Sequence, residues 1–156
     1  MMAYAENTSV SASKTKGEID GLLRKHRATG FGSFEEQNRA LLVFQMQERR
    51  IRFELPLPSP TEKRFTMTAH HKARSADAAL HAWEQACRSR WRALFLCIKA
   101  KLESIDSGIE SFEDAFLAHI QMPDGMTVAE HVKPNIAIAY QTNPMQPLLP
   151  GPKRAE

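Results

Sequence analysis

Ten cationic side chains come in four short bursts: Arg49, Arg50 and Arg52; Lys63 and Arg64; Lys72 and Arg74; and Arg88, Arg90 and Arg92. Clustered guanidinium and ammonium groups bind phosphate oxygens and release condensed counterions, which is the chemistry of a nucleic-acid backbone site. We take Arg49, Arg50, Arg52, Lys63, Arg64, Lys72, Arg74, Arg88 and Arg92 as the candidate interface. The competing reading is a scattered, solvated surface, with arginine stems covering apolar groups near Trp83 and Trp91. The charge distribution gives the first reading weight. Lys and Arg against Asp and Glu number 9 to 7 over residues 1–60, 9 to 4 over 61–105 and 3 to 7 over 106–156. A basic middle followed by an acidic end points to an anionic partner for the central segment.

Other chemistries find little support. His70 and His71 are adjacent and His81 lies ten residues on, but no two histidines stand four apart and no CxxC pair exists, so no metal is expected. Gly30-Phe31-Gly32 lacks the third glycine or the GK[ST] of a phosphate cradle, and relief of a twisted strand explains it better. No G-x-S-x-G elbow occurs. Glu35-Glu36, Glu113-Asp114 and Asp124 each fit a turn or a first helical turn better than a catalytic pair. We expect neither an enzyme nor a cofactor.

The elements that must position the cations follow from periodicity. Residues 1–12 are small and polar, an expected mobile arm. Ile19, Leu22, Leu23 and His26 recur at helical spacing from about Ser13, with Gly17 and Gly21 weakening the helix. Residues 28–34 read as a first strand and 40–47 as a second, with turns at 35–38 and 47–50. Ile51, Phe53, Leu55 and Leu57 alternate with Arg52 and Glu54, so the third strand has one core face and one solvent face. Pro56, Pro58 and Pro60 end it and place it at a sheet edge. Phe65 to Thr68 reads as a short fourth strand. Ser75 caps a helix to about Ser104, whose apolar positions from Leu80 through Trp83, Cys87, Trp91, Leu94, Ile98 and Leu102 to Ile105 advance at about 3.6 residues per turn. Cys87 and Cys97 lie about 15 Å apart along it at 1.5 Å per residue, too far to bridge, and read as small apolar fillers. Residues 110–120 form a further helix, with Phe112, Phe116, Leu117 and Ile120 inward. Thr127 to Glu130 has capping-box spacing, opening a helix whose Val128, Val132, Ile136 and Tyr140 line one face, broken or kinked near Pro134. Prolines at 144, 147, 150 and 152 give an extended tail over 143–156.

The resulting fold class is α+β, one domain over 13–142: a helix, a three-stranded antiparallel meander, a long amphipathic helix packed on it, then shorter helices. This element order is also that of double-stranded RNA-binding domains, an analogy of topology alone, since their lysine-rich helix start is missing here. No apolar run approaches the roughly 20 residues of a membrane span, and the first residues lack a secretion signal, so a soluble cytoplasmic protein with no membrane partner is expected.

Longer strings carry a resemblance. They are Met2-Ala3-Tyr4-Ala5-Glu6-Asn7-Thr8-Ser9-Val10-Ser11, Arg52-Phe53-Glu54-Leu55-Pro56-Leu57-Pro58, Trp83 to Arg88 continuing through Trp91-Arg92-Ala93-Leu94 to Ile98–Glu103, and Phe112–Ile120. Together they resemble a family of small proteins encoded by tailed bacteriophages and prophages. The resemblance implies a phage or prophage origin and a bacterial host cytoplasm, and supplies no activity or catalytic residue to carry over. A small non-enzymatic phage protein is expected either to bind DNA or RNA as an accessory to replication and recombination, or to bind and disable a host protein. The Pro144–Pro150 tail or the N-terminal arm would then be the docking segment. A third option is sequestration of a nucleotide signal, with Trp83, Trp91 or Phe65 stacking the base.

Overall fold

A computed structural model describes residues 5–142, 147–149 and 151. Helix α1 (Ala12–Lys25) starts where the Ser11 hydroxyl accepts the Lys14 amide, and buries Thr15, Ile19 and Leu23. Arg27, just past its end, takes a φ of 68°, a position that usually favours glycine. Strands β1 (Gly30–Glu36), β2 (Arg39–Met46) and β3 (Arg49–Pro56) form an antiparallel sheet in that order. β1 runs two residues further than the sequence pattern predicts, because the turn needs only Gln37 and Asn38. Gln47 and Glu48 join β2 to β3 with φ of 48° and 60°, the left-handed pair whose twist matches a two-residue hairpin.

The alternation in β3 puts Ile51, Phe53 and Leu55 on the buried face. Register then fixes the rest: Ala40 lies opposite Leu55, Leu42 opposite Phe53 and Phe44 opposite Ile51, so β2 presents its apolar set to the same side. β3 is an edge, as its prolines require, but the edge is partly covered. Ile120 bridges Ile51, and the Gln121 amide donates to the Arg50 carbonyl at 2.8 Å.

Helix α3 (Ala76–Asp106) is capped by Ser75 and is one continuous rod of 31 residues, about 46 Å at 1.5 Å per residue. Only its second half joins the core, through Trp91, Leu94, Ile98 and Leu102. The first half departs from its pattern. Leu80 is 49% exposed, Cys87 half-buried, and Cys97 faces solvent rather than filling the core. What covers the first half is local chain. The Lys63–Thr66 stretch forms a single helical turn, α2, rather than a strand, and buries Phe65; Met67 then bridges Ala73. Residues 5–10, expected to be a free arm, lie against α3. The Gln85 amide donates to the Glu6 and Thr8 carbonyls, the Ser89 hydroxyl donates to Glu6, and Ala5 is 5% exposed. Polar side chains on the helix thus satisfy backbone acceptors of an extended segment.

The predicted helix over 110–120 is shorter. α4 (Phe112–Phe116) gives way to a tighter turn at Leu117–His119, which leaves Leu117 exposed. Phe116 is fully buried between Phe44 and Phe53, edge to face with both. Helix α5 (Val128–Thr142) opens on the expected box: the Thr127 amide donates to Glu130 and the Glu130 amide to the Thr127 hydroxyl. It passes Pro134 without a break. None of its residues is fully buried: Val128 and Val132 are half-buried where the helix meets the Leu117–His119 turn, whereas Ile136 is 41% and Tyr140 90% exposed, so the outer part of the expected apolar face lies open. Most of the expected tail lies outside the described residues; the Asn135 amide donates to the Pro147 and Leu148 carbonyls. No described helix is long and apolar enough to cross a membrane.

Two histidines titrate in opposite senses. Burial pulls His26 down, but its Nδ1 faces the Leu22 carbonyl at 2.9 Å and its Nε2 the Asp106 carboxylate at 2.8 Å, and the acceptors win, raising its pKa. Burial first, then the Lys101 charge, lowers His119, whose ring stacks on Phe53 at 3.9 Å. The His26 contribution is complete below the ordinary histidine value of about 6.5 and is lost as pH rises through its raised pKa. The His119 contribution is complete above that value and is lost as pH falls through its lowered pKa. Urea midpoints measured against pH are therefore expected to show a maximum near about 6.5 from this pair, with a shallower alkaline fall in Asp106→Asn. The Thr15 hydroxyl is buried without a hydrogen-bond partner among the described residues. Thr15→Val is expected to stabilise the fold by about 1 kcal/mol in urea denaturation.

Candidate nucleic-acid interface

The turns at both ends of β2 separate the predicted cations. Arg49 and Arg50 are exposed at the β2–β3 hairpin. Arg88 sits at the other end, in the wall of a recess that also contains Glu35, Glu36 and Gln37 from the β1–β2 turn. The eight residues of β2 span about 27 Å. These two groups do not form one patch.

Three further candidates are engaged within the fold. Arg52, with a side chain only 20% exposed, pairs with Glu130 at the start of α5. The Glu130 carboxyl is held below its usual range by the Thr127 amide first, then by the Thr127 hydroxyl and Arg52. Arg92 pairs with Glu18 on α1 and stacks its guanidinium on Phe95 at 4.3 Å. Arg88 donates twice to the Gln85 side chain, at 3.1 and 2.7 Å. Arg52 and Arg92 are struts between elements.

The remaining four converge. Lys63 and Arg64 lie on α2, and Lys72 and Arg74 on the strap that returns from it. The strap closes as a small hairpin: the Thr68 amide donates to the Lys72 carbonyl, the Arg74 amide to Thr66, and His70 and His71 occupy the exposed tip, His71 at φ 56°. Two recesses of about 680 and 560 Å³ share Arg64 and Arg74 in their walls. Lys63, Thr68 and His71 complete the first. The second runs onto α3, where it gains Arg90. Arg64 pairs with Glu62 and lies over the Phe65 ring at 4.6 Å, whereas Lys63, Lys72, Arg74 and Arg90 have no carboxylate within ion-pair distance among the described residues. Glu6 in the second recess is the opposing charge.

Arg90 was not among the residues chosen from sequence. Its signal was present: Ala82, Ala86, Arg90 and Ala93 share one flank of α3 at spacings of four, four and three, so small side chains leave space around one cation. The stacking rings expected for a nucleotide are engaged elsewhere. Phe65 is buried beneath Arg64, and Trp91 is 1% exposed. Among the described residues no three His, Cys, Asp or Glu side chains come together to hold a metal ion.

Comparison with protein-family models, with curated proteins and with solved structures finds no match to this chain. The strap and its surroundings therefore carry the functional reading.

The two kinds of cation separate by stability. Arg52→Glu sets two carboxylates against each other and is expected to cost about 1–2 kcal/mol. Lys72→Glu, on the exposed strap, is expected to stay within about 0.5 kcal/mol of the parent in the same denaturation measurement.

Proposed function

We propose that this protein binds the phosphate backbone of nucleic acid through the strap, as a non-enzymatic accessory factor in phage DNA replication or recombination. The observation that carries this reading is the convergence of Lys63, Arg64, Arg74 and Arg90 around two recesses with a shared wall, with Lys72 on the same strap beside them. Five cations with one ion-paired partner between them keep most of their charge for a ligand, and phosphate oxygens are the acceptors that several such groups serve at once. With the phage or prophage origin that the sequence strings imply, that activity would belong to a host cytoplasm. Arg49 and Arg50 belong to a separate, weaker contact.

The exposed Ile136 and Tyr140, four residues apart on one side of α5, favour a second reading, in which the protein binds and inhibits a host protein through this apolar helix face.

Fluorescence anisotropy with labelled single-stranded DNA, duplex DNA and duplex RNA tests the first reading. Binding is expected at low salt and falls steeply as salt rises from about 50 to 200 mM. Lys72→Glu with Arg74→Glu is expected to weaken it by roughly tenfold or more and to reduce the log–log salt slope by about two. Arg49→Glu with Arg50→Glu is expected to change affinity much less. Absence of binding to all three polymers at low salt overturns the reading in favour of the second.

A further inference from the structure

On the opposite flank of α3 from Arg90, a recess of about 630 Å³ opens between the N-terminal half of the helix, the start of α1 and the β1–β2 turn. Its size is that of a small-ligand site. The floor is Trp83, Trp91, Cys87, Leu57 and Pro60, and the rim carries Glu35, Glu36, Glu84 and Arg88; Glu36 is paired with Arg39 and Glu35 with Lys16, which leaves Glu84 as the carboxylate without a basic partner. Trp83 is half-buried and fixed, its indole N–H donating to the Pro58 carbonyl at 2.8 Å. An indole wall with a carboxylate rim suits neither phosphate nor a neutral hydrocarbon.

The chain already shows the chemistry there. The Lys16 ammonium lies 4.7 Å from the centre of the Trp91 ring and pairs with Glu35. An ammonium group is thus held by the Trp91 face and the Glu35 carboxylate, two residues of this recess. Arg88 brings a positive charge to the same rim, its guanidinium hydrogen-bonded to the neutral Gln85 side chain. Among the described residues Glu84 meets only His81 on its own helix, at 3.9 Å, and so is the rim carboxylate left for a ligand. The Cys87 thiol lies in the same field: burial raises its pKa most, Glu35 and Glu84 raise it further, and Arg88 works against them.

The geometry points to a binding site for an aliphatic ammonium group, seated on Trp83 with Glu84 as counter-ion and Leu57 and Pro60 against its alkyl chain. The group reaches the site either from a free polyamine or from a lysine side chain of a polypeptide. This site is separate from the strap and does not depend on nucleic-acid binding.

The two tryptophans of the chain both line the recess, so intrinsic fluorescence reports on it directly. The full chain is titrated with choline, spermidine and doubly blocked lysine, and with the uncharged analogue of choline in which tert-butyl replaces trimethylammonium. A saturable change with the cations and none with the tert-butyl compound is expected. Half-saturation should move roughly tenfold upward in Glu84→Lys and about threefold in Glu84→Gln, which keeps the side-chain size. Circular dichroism checks that both variants are folded. Preference for blocked lysine over spermidine assigns a polypeptide source, and the reverse a free polyamine. Equal response to the tert-butyl compound, no saturable response to any cation, or indifference to both Glu84 variants overturns the proposal.

Discussion

Phe44, Phe53 and Phe116 come from two strands and a helix, and they meet at ring-centre distances of 5.7 to 6.5 Å. Their contact decides more than core density. Phe44 and Phe53 fix the inward face of the sheet. Phe116 seats α4 on that face, and the Lys101 ammonium reaches from α3 to the Ala115 carbonyl beside it. Because Phe116 is fixed, residues 120 and 121 are delivered to the edge of β3, and the capping box of α5 is held close enough for Glu130 to meet Arg52. The C-terminal third is thus hung from one aromatic triangle, whose loss would remove both packing and the path of the chain.

The division of the cations follows from the same frame. Arginines whose elements pack against a neighbour find a carboxylate on it, as Arg52 does on α5 and Arg92 on α1. Cations on α2 and the strap meet fewer acids, Glu62 beside Arg64 and Glu6 across the second recess, and α2 and the strap rest on the part of α3 that extends beyond the core. Length beyond the core creates both proposed sites. The two flanks of that overhang differ in charge, with Arg90, Arg74 and Arg64 around Glu6 on one and Glu84 beside Arg88 on the other.

What the sequence made legible is what depends on local periodicity. The alternation at Ile51, Phe53 and Leu55 predicts the edge strand, and the 3.6-residue spacing from Leu80 to Ile105 predicts the long helix. Thr127 and Glu130 announce their cap. The illegible part depends on partners distant in the chain. Arg52 and Glu130 are 78 residues apart and Arg92 and Glu18 are 74 apart, and nothing local marks them as pairs. Phe65 alternates like a strand residue but is drawn into a helical turn because burial under Arg64 matters more than backbone preference. Residues 5–10 read as a free arm because their docking uses backbone carbonyls, which every residue type supplies. Lys63, Arg64, Lys72 and Arg74 were legible as a group, since clustering in sequence there coincides with closeness in space; Arg90 was not, because it joins them from another element.

The docking of residues 5–10 on Gln85 and Ser89 links positions 77 to 83 residues apart. During synthesis, at about 5–20 residues per second, this segment leaves the ribosome several seconds before its helix exists. It must stay extended and unclaimed through that interval. A polar, small-residue composition suits the delay, because a more apolar segment would attach to the exposed strands while it waited. The plain chemistry of Glu6 to Val10 is in this light a kinetic property, which keeps the earliest part of the chain available for a partner made late.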